Sequence, residues 1–303
     1  MKKRRDELNG VLVIDKPRGL TSWAVVEDVR RRAEIITAGH TGTLDPLATG
    51  VLPVCVGTAT KLVQWLTAED KAYEAELELG LDTDSHDIDG TVVNRDAAGA
   101  AAIGRGEMVA ALSALARTTE QVPPMHSAIK QGGVRLHEMA RAGVEVDRAP
   151  RPVRFVRLEL LELSPPRVRI AITCSKGTYV RSLVRDLGAR LGCGATLTAL
   201  QRTSSGRFHL GDAVPLEGIT SPMSARARLI PSARAMGLPS LTIPAGRVRD
   251  VRDGRRLEPA FFAGVAQGTF QMVSESGEVI AICERDGTTL RYHRVLMETL
   301  ALQ

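Results

Sequence analysis

The stretch from Gly39 to Gly50 restricts the local fold more than any other part of this sequence. Its twelve residues, GHTGTLDPLATG, contain three glycines and a proline, so they predict a sharply folded loop rather than a helix or a central strand. Asp45 stands directly before Pro46, whose ring disfavours helical backbone at the preceding residue. The loop therefore presents one carboxylate from a stiff backbone, either as a functional group or as the N-cap of a helix that begins at Pro46.

The composition indicates a globular protein with a modest basic excess. The 303 residues are 44% hydrophobic, enough for one large domain or for a large and a small one. The net charge of +5 suits a polyanionic partner without proving one. Only 3% of the residues are aromatic, so any base stacking must rest on a few side chains.

The cysteines and histidines are scattered along the chain. Cys55, Cys174, Cys193 and Cys283 form no Cys-x-x-Cys pair, and the Lys2–Arg5 start shows no signal-peptide pattern. These features predict reduced thiols in a cytoplasmic protein and make a zinc site unlikely. No apolar run approaches the ~18 residues of a membrane span, so we expect no membrane association.

Hydrophobic periodicity predicts regular elements on both sides of the glycine-rich loop. A short apolar strand from Gly10 to Ile14 precedes a helix that Ser22 can cap, and a further helix is predicted from Thr60. The clearest strand runs from Lys71 to Leu79, where apolar residues alternate strictly with glutamates. One face of this strand should therefore be buried, with Tyr73 near its beginning.

The middle of the chain is less regular. The acidic run at 82–89 has Asp87 where a calcium-binding loop requires glycine, and instead predicts a solvated turn between strands. Residues 97–106 predict a loop before an amphipathic helix near 107–115. The segment 117–152 is basic, rich in proline and glycine, and includes a helix at 136–141. It is typical of an excursion from the core that could grip a partner.

A cation at a helix start is the most informative feature of the second half. Strand-like runs at 154–163 and 167–174 precede a turn at 175–178 that should cap a helix ending at Leu191. Arg181 lies in the first turn, where the helix dipole disfavours positive charge. This position indicates either a nearby carboxylate or phosphate, or an exposed side chain.

The C-terminal part predicts a small β-rich unit. A strand with a turn is predicted over 196–208, and residues 214–239 predict a helix and a linker. Residues 247–256 contain five arginines, and short strands at 270–274 and 279–283 follow across a Ser-Gly turn. This unit should therefore have a basic face.

Four motifs carry a resemblance to a known family. They lie at 15–22 (DKPRGLTS), 39–50 (GHTGTLDPLATG), 122–130 (VPPMHSAIK) and 174–182 (CSKGTYVRS). In this order the sequence resembles the TruB family of bacterial tRNA pseudouridine synthases, from about residue 8 to residue 210. The motif Gly-His-Thr-Gly-x-Leu-Asp-Pro is highly specific, and it favours the functional interpretation of Asp45 over the helix cap.

The resemblance implies a set of site residues. Asp45 would be the catalytic aspartate, and Arg181 would pair with it. Four residues would bind the substrate. Tyr73 would stack on the target uracil, and Leu200 would form the apolar wall of the base pocket. His40 would contact the RNA where the base has left the stack, and Lys61 is a further basic candidate. His126 and His137 stand where the family pattern has aromatic residues, which affects contacts in the insertion and not the chemistry.

The resemblance also implies the fold class and the partner. The expected fold is α+β, with a mixed, largely antiparallel sheet flanked by helices, the pseudouridine synthase fold. Residues 1–235 would form the catalytic domain, with an RNA-gripping insertion at about 117–152, and residues 236–303 a PUA-like RNA-binding domain. The partner would be tRNA, modified at uridine 55 of the T-loop. Because one chain can grip the RNA by itself, we expect a monomer, and the residue spacing and the chemistry call for no metal and no cofactor.

The chemistry agrees with this set of residues. Conversion of uridine to pseudouridine breaks the N1–C1′ bond and rejoins the uracil through C5 without redox change. One carboxylate can attack C1′ or remove the C2′ proton, and both routes remain open at this stage. So does the base that removes the C5 proton, for which Asp45, Tyr73 and water are candidates. Two other functions also remain open: a homologue that works in a guide-RNA complex, and an RNA-folding factor.

Overall fold

A computed structural model of the chain describes residues 8–296. The Lys2–Arg5 start and the outer ends of both predicted domains lie outside the described residues. The strands have the following bounds: β1 Gly10–Lys16, β2 Ala38–His40, β3 Ala48–Val56, β4 Lys71–Leu79, β5 Leu81–Thr83, β6 Val92–Arg95, β7 Glu120–Gln121, β8 Lys130–Gln131, β9 Val134–Arg135, β10 Arg151–Pro152, β11 Phe155–Ser164, β12 Arg167–Cys174, β13 Ala195–Ser205, β14 Phe208–His209, β15 Val214–Pro215, β16 Ser240–Ile243, β17 Gly268–Ser274, β18 Val279–Asp286 and β19 Thr289–Val295.

Short and medium helices connect these strands. Their bounds are α1 Ser22–Arg32, α2 Val63–Ala68, α3 Ala97–Ala102, α4 Arg105–Leu115, α5 Leu136–Arg141, α6 Val180–Leu191, α7 Pro222–Arg228, α8 Ser232–Met236 and α9 Val248–Arg252. Turns of 3₁₀ helix cover Gly57–Leu62, Leu210–Asp212, Leu216–Gly218, Ala245–Arg247 and Pro259–Phe262. The predicted α+β class is confirmed.

The central sheet has the order β11-β12-β4-β13-β3-β1-β15, with β2 beside β3 and β14 beside β13. Its pairings are antiparallel except for β13 with β3 and β1 with β15. The sheet is therefore mixed and largely antiparallel, as expected. The alternation in Lys71–Leu79 works as predicted, because Tyr73 and the apolar residues that alternate with it are buried beneath helices while Glu74 and Glu76 stay on the other face.

Helices α1, α4 and α6 cover one face of this sheet. Val25 and Val29 of α1, Met108 of α4, and Leu183 and Leu187 of α6 lie in one continuous core with the inward residues of the strands. Helix α6 is strongly amphipathic, and Gly192 ends it in the left-handed conformation that glycine favours. The core thus fixes the N-terminus of α6 against the sheet.

A second, four-stranded sheet, β16-β17-β18-β19, forms the C-terminal unit. Phe262, Phe270 and Met272 lie in its own core. Its other face joins a small cluster with Leu62 and Trp65 of the larger unit. The C-terminal unit is β-rich, as predicted, and it packs on the segment that follows the glycine-rich loop.

Three predictions about helix starts are wrong. Residues 97–102 form helix α3 instead of a loop, because the Asp96 side chain caps it by accepting a hydrogen bond from the Gly99 amide. Thr21, not Ser22, is the side-chain cap of α1. Residues 175–178 form a turn without capping α6, whose N-cap position, Tyr179, makes no side-chain hydrogen bond to the helix.

Candidate active site

One large cavity, of about 1220 Å³, opens beside the glycine-rich loop. Its wall combines the start of α1, the loop around Asp45, the start of β4, the acidic turn at 84–91, part of the insertion and the start of α6. Seven lysines and arginines line it, against four aspartates. The cavity is therefore large enough for a nucleotide and is cationic overall.

The glycine-rich stretch is only partly a loop. Gly39 and His40 belong to β2, and residues 48–50 begin β3, which lies between β13 and β1 in the sheet. The prediction that no part of it enters a central strand is thus wrong. Gly50 makes this possible: its φ is +96°, and a Cβ there would lie 2.3 Å from the Arg202 carbonyl oxygen.

Asp45 does not cap a helix. Pro46 and Leu47 form a turn, and the Ala48 amide donates to the Asp45 carbonyl at 3.0 Å before β3 begins. The carboxylate is left free of a capping role and lines the cavity, with 32% of its side chain exposed. The helix-cap alternative is therefore excluded by the local geometry.

Two side chains from the N-terminal motif hold this turn in place. The buried Lys16 ammonium donates to the carbonyl oxygens of Ala48 at 2.6 Å and Pro17 at 2.9 Å. The Ser22 hydroxyl accepts from the Leu44 amide at 2.7 Å and donates to the Leu44 carbonyl at 3.1 Å. Burial lowers the pKa of Lys16 to about 8. The residue before Asp45 is thus fixed to α1.

Arg181 forms a bidentate pair with Asp45. Its Nε donates to Asp45 Oδ2 at 2.8 Å and its Nη2 to Oδ1 at 2.9 Å, the planar geometry that arginine and carboxylate favour. The Arg181 side chain is only 5% exposed. The prediction of a carboxylate near this cation is confirmed, and the pair explains an arginine in the first turn of a helix.

The acidic turn supplies a second carboxylate to the same guanidinium. Asp87 Oδ2 lies 3.6 Å from Arg181 Nε, and the Ser85 carbonyl accepts from Nη1 at 3.3 Å. The Ser85 hydroxyl donates to Asp87 Oδ1 at 2.6 Å. The turn does connect strands β5 and β6, but the solvated turn that we expected is buried at Asp87, because Arg181 requires countercharge there.

Arg202 forms the buried base of the site. It is 1% exposed, and it donates from Nε to the Val51 carbonyl at 2.7 Å and from Nη2 to the Gly42 carbonyl at 3.2 Å. It therefore connects the first and last parts of the loop region. Its charge also affects nearby groups: burial and Arg202 together lower the pKa of Lys71 to about 8 and lower the pKa of His40.

The other predicted binding residues are distributed as follows. Tyr73 and Leu200 both line the cavity, 9% and 6% exposed, from the neighbouring strands β4 and β13. Burial raises the pKa of Tyr73. His40 also lines the cavity, and its Nδ1 accepts from the Gly42 amide at 3.3 Å. Lys61 lies in the turn Gly57–Leu62 and is not among the described residues that form the cavity wall.

The insertion forms one side of the cavity. A short pairing of β7 with β10 closes its base, and the side chain of Gln121 holds the backbone of Tyr179 by two hydrogen bonds, of 2.8 and 3.1 Å. The His126 carbonyl accepts from Arg181 Nη2 at 2.9 Å. At position 126 the backbone thus contacts the central arginine, so the change of side chain there leaves this contact intact.

Sequence reasoning missed Lys16, Asp87 and Arg202 as site residues. Lys16 could have been recognised from the sequence, because it ends an apolar strand and belongs to the motif at 15–22. Arg202 had a weaker signal, as a charged residue inside a strand. Within residues 8–296 no group of three or more histidines, cysteines or acidic residues is placed to hold a metal ion, and no helix there is long and apolar enough to cross a membrane.

Two family models match this chain. The family model described as TruB family pseudouridylate synthase (N terminal domain) matches residues 30–180. The model described as tRNA pseudouridylate synthase B C-terminal domain matches residues 181–229. The two matches meet at Arg181 and together include Asp45, Tyr73 and Leu200. The second match ends before the C-terminal sheet begins.

Individual relatives extend the likeness over the whole chain. A tRNA pseudouridine synthase B of Aromatoleum aromaticum is 42% identical over 302 residues, 98% of this chain and 96% of that protein. One from Symbiobacterium thermophilum is 49% identical over 241 residues, 78% of this chain and 79% of that protein.

A solved structure supports the fold. The Cbf5-Nop10-Gar1 complex contains a chain that superposes with a TM-score of 0.71 at 25% identity, covering 95% of this chain and 85% of that one. Such coverage extends into the C-terminal sheet, in agreement with a PUA-like unit. The chain described here therefore belongs to the TruB family of pseudouridylate synthases.

Proposed function

We propose that this protein isomerises the uridine at position 55 in the T-loop of tRNA, with Asp45 as the catalytic residue. The curated relatives are named tRNA pseudouridine synthase B, which supports tRNA as the substrate. The observation that carries the proposal is the bidentate Asp45–Arg181 pair at the wall of a cationic cavity. A carboxylate aimed in this way suits chemistry at a sugar carbon.

In the proposed reaction the N1–C1′ bond breaks, C5 bonds to C1′, the C5 proton leaves and N1 gains a proton. Loss of the base develops positive charge at C1′, as in glycoside cleavage. Ionised Asp45 either attacks C1′ or removes the C2′ proton. A substrate deuterated at C2′ separates the routes, since only the second breaks that bond. Neither route changes the redox state, so no redox cofactor is needed.

The target base must leave the RNA stack, which costs a few kcal/mol. Tyr73 and Leu200 flank the cavity from adjacent strands, and they would hold the flipped uracil between an aromatic face and an apolar wall. His40 would fill the place that the base leaves in the RNA. Its lowered pKa, caused first by burial and then by Arg202, keeps this imidazole neutral near pH 7.

The raised pKa of Tyr73 bears on the final proton transfer. Burial keeps Tyr73 as a neutral phenol at physiological pH, although Arg202 opposes this effect. A neutral phenol is a weak base. Asp45 or water would therefore remove the C5 proton, and Tyr73 would act as the stacking residue.

RNA binding would involve more than the cavity. We assign residues 1–235 to the synthase domain, with residues 117–152 as the gripping insertion, and residues 236–303 to a PUA-like RNA-binding domain that works in the same monomer. Lys130, Arg135 and Arg141 of the insertion line the cavity, and Lys61 would contact RNA outside it. Binding should weaken as salt rises, because phosphate contacts release counterions.

The substitution Asp45→Asn tests the proposal. We expect the variant to bind a T-loop hairpin but to form no pseudouridine there, because the amide cannot act as nucleophile or base. Asp89→Asn is the matched control: Asp89 also lines the cavity, but Arg181 pairs with Asp45 and Asp87 instead. Pseudouridine formation by folded Asp45→Asn protein would contradict the assignment.

Two further experiments test the substrate and the role. Turnover of free tRNA by the purified chain would exclude a requirement for a guide-RNA complex. An RNA-folding role can coexist with catalysis, and rescue of tRNA folding by Asp45→Asn protein would support it. Failure of that rescue would count against it.

A further inference from the structure

Trp23 is an exposed aromatic side chain at the rim of the cavity. The chain has two tryptophans, three tyrosines and five phenylalanines, all of which lie within the described residues. Among these ten aromatic side chains only Trp23 is classed as exposed, at 58%. Its indole therefore presents a large apolar face to solvent where it lines the cavity.

The backbone around Trp23 is rigid and is connected to the catalytic turn. Trp23 is the second residue of α1, and the Thr21 hydroxyl caps this helix by accepting from the Ala24 amide at 3.0 Å. The preceding residue, Ser22, holds both backbone groups of Leu44, the neighbour of Asp45. Trp23 therefore has a fixed position relative to the catalytic carboxylate.

We propose that Trp23 is a stacking platform for an unstacked nucleobase of the RNA, next to the target nucleotide. This inference rests on the proposed function and deepens it. The cationic wall of the cavity selects a polyanion, and an exposed indole at its rim offers a face to a base, which is how single-stranded nucleic acids are commonly bound. The wall thus favours a nucleotide over an apolar peptide.

The occupant of this platform is not the target uracil. Tyr73 and Leu200 are almost fully buried and supply the pocket for that base, whereas Trp23 stays largely in solvent at the rim. His40 would fill the gap that the target base leaves, whereas Trp23 would stack on a neighbouring base that has itself left the stack. No other aromatic side chain among residues 8–296 is exposed to this extent, so Trp23 is the candidate for a platform at the rim.

Fluorescence gives a direct measurement. Trp65, the other tryptophan of the sequence, packs against a cluster that includes residues of the C-terminal sheet. Trp65→Phe therefore leaves Trp23 as the sole tryptophan of the full-length protein. We expect a T-loop hairpin to quench this emission, and a fully paired RNA duplex of equal charge to leave it nearly unchanged. Equal quenching by both RNAs, or by neither, would overturn the inference.

Substitution provides the second measurement. Trp23→Ala should raise the Kd for the hairpin by about 5- to 150-fold, the range for loss of one base–aromatic stack, while Trp23→Phe should keep most of the affinity. Met223→Ala removes another exposed apolar side chain, outside the cavity wall, and should change nothing. An abasic site introduced at each loop position in turn should identify one position at which Trp23→Ala has no further effect.

The outcomes separate this inference from the proposed function. If the Trp65→Phe protein forms pseudouridine while Trp23→Ala binds the hairpin as tightly as its parent, the stacking role is wrong and the function stands. If the parent protein neither binds the hairpin nor modifies it, the proposed function itself fails.

Discussion

Replacement of Arg181 by lysine separates the charge of this residue from its geometry. The guanidinium makes two hydrogen bonds to Asp45 and one each to the carbonyl oxygens of Ser85 and His126. A lysine ammonium keeps the charge but cannot reproduce this planar arrangement. We expect it to lose at least one bond to the carboxylate and one to a carbonyl.

The structure gives the scale of the effect. A hydrogen bond to a charged group contributes roughly 1.5–3 kcal/mol, and the retained charge offsets part of the loss. A net loss of about 3 kcal/mol of transition-state stabilisation corresponds to a roughly 100-fold lower kcat. KM should change little, because Tyr73, Leu200 and the basic lining stay in place.

The assay is pseudouridine formation in a T-loop hairpin, with urea unfolding as a check on stability. Arg185→Lys is the matched control, since it lies one turn further along α6 and pairs with Asp186 away from the cavity. It should change the free energy of unfolding by no more than about 0.5 kcal/mol. Wild-type kcat in folded Arg181→Lys protein would refute this reasoning.

Removal of the charge tests the second carboxylate. Arg181→Met leaves Asp87, whose side chain is 9% exposed, without its countercharge. Breaking a buried ion pair in this way costs about 3–5 kcal/mol of stability, and Asp45, which is 32% exposed, should add less than Asp87 does. Asp87→Asn in the same protein should recover part of this loss, measured by a double-mutant cycle in urea.

Three further predictions concern the support of the site. Gly50→Ala should lower the free energy of unfolding by several kcal/mol, because its Cβ would lie 2.3 Å from the Arg202 carbonyl oxygen. The control Gly19→Ala, where φ is +91° but the space is open, should cost only about 1–2 kcal/mol. Equal losses of the free energy of unfolding for the two variants, measured by urea unfolding, would contradict the clash. Lys16→Met should reduce kcat and cost about 1–3 kcal/mol, since the carbonyl oxygens of Pro46 and Ala48, in the turn that carries Asp45, lose their donor. Wild-type values of both kcat and the free energy of unfolding would count against this role of Lys16. Burial and neighbouring arginines lower the pKa of His86. Below about pH 6.5 the unfolded chain therefore binds more protons at this residue than the folded chain, and the free energy of unfolding falls as the pH falls. His86→Asn, which tolerates the local φ of +63°, should lose less free energy of unfolding than the wild type between urea titrations at about pH 7.5 and about pH 5.5, and an equal loss would refute this.

Local sequence was sufficient where the governing interactions are local. The alternation in Lys71–Leu79 gave the bounds of β4, and the same pattern gave β12 at Arg167–Cys174. The bounds of α5 were predicted correctly, and Gly192 ends α6 where the sequence placed it. Periodicity and helix ends depend on neighbours within a few residues, so they can be recognised without the fold.

Elements whose signals conflict were harder to predict. Residues 97–102 contain a glycine and many alanines, and the cap at Asp96 decides in favour of a helix. In the glycine-rich stretch, glycine and proline normally argue against a central strand. Gly50 enters one because the neighbouring strand at Arg202 approaches too closely for any side chain. That approach is a property of the sheet.

By itself the sequence determined that an arginine in the first turn of α6 favours an anion nearby and that Asp45 sits on a stiff turn. The family resemblance implied that these two residues, 136 positions apart, would pair, and the tertiary structure supplies the contact itself. It also decided that Asp87 and Arg202 complete the site and that Trp23 stands at its rim. The physical reason is that charge and burial at these positions depend on strand order and register, which bring distant segments together and leave no trace in local periodicity.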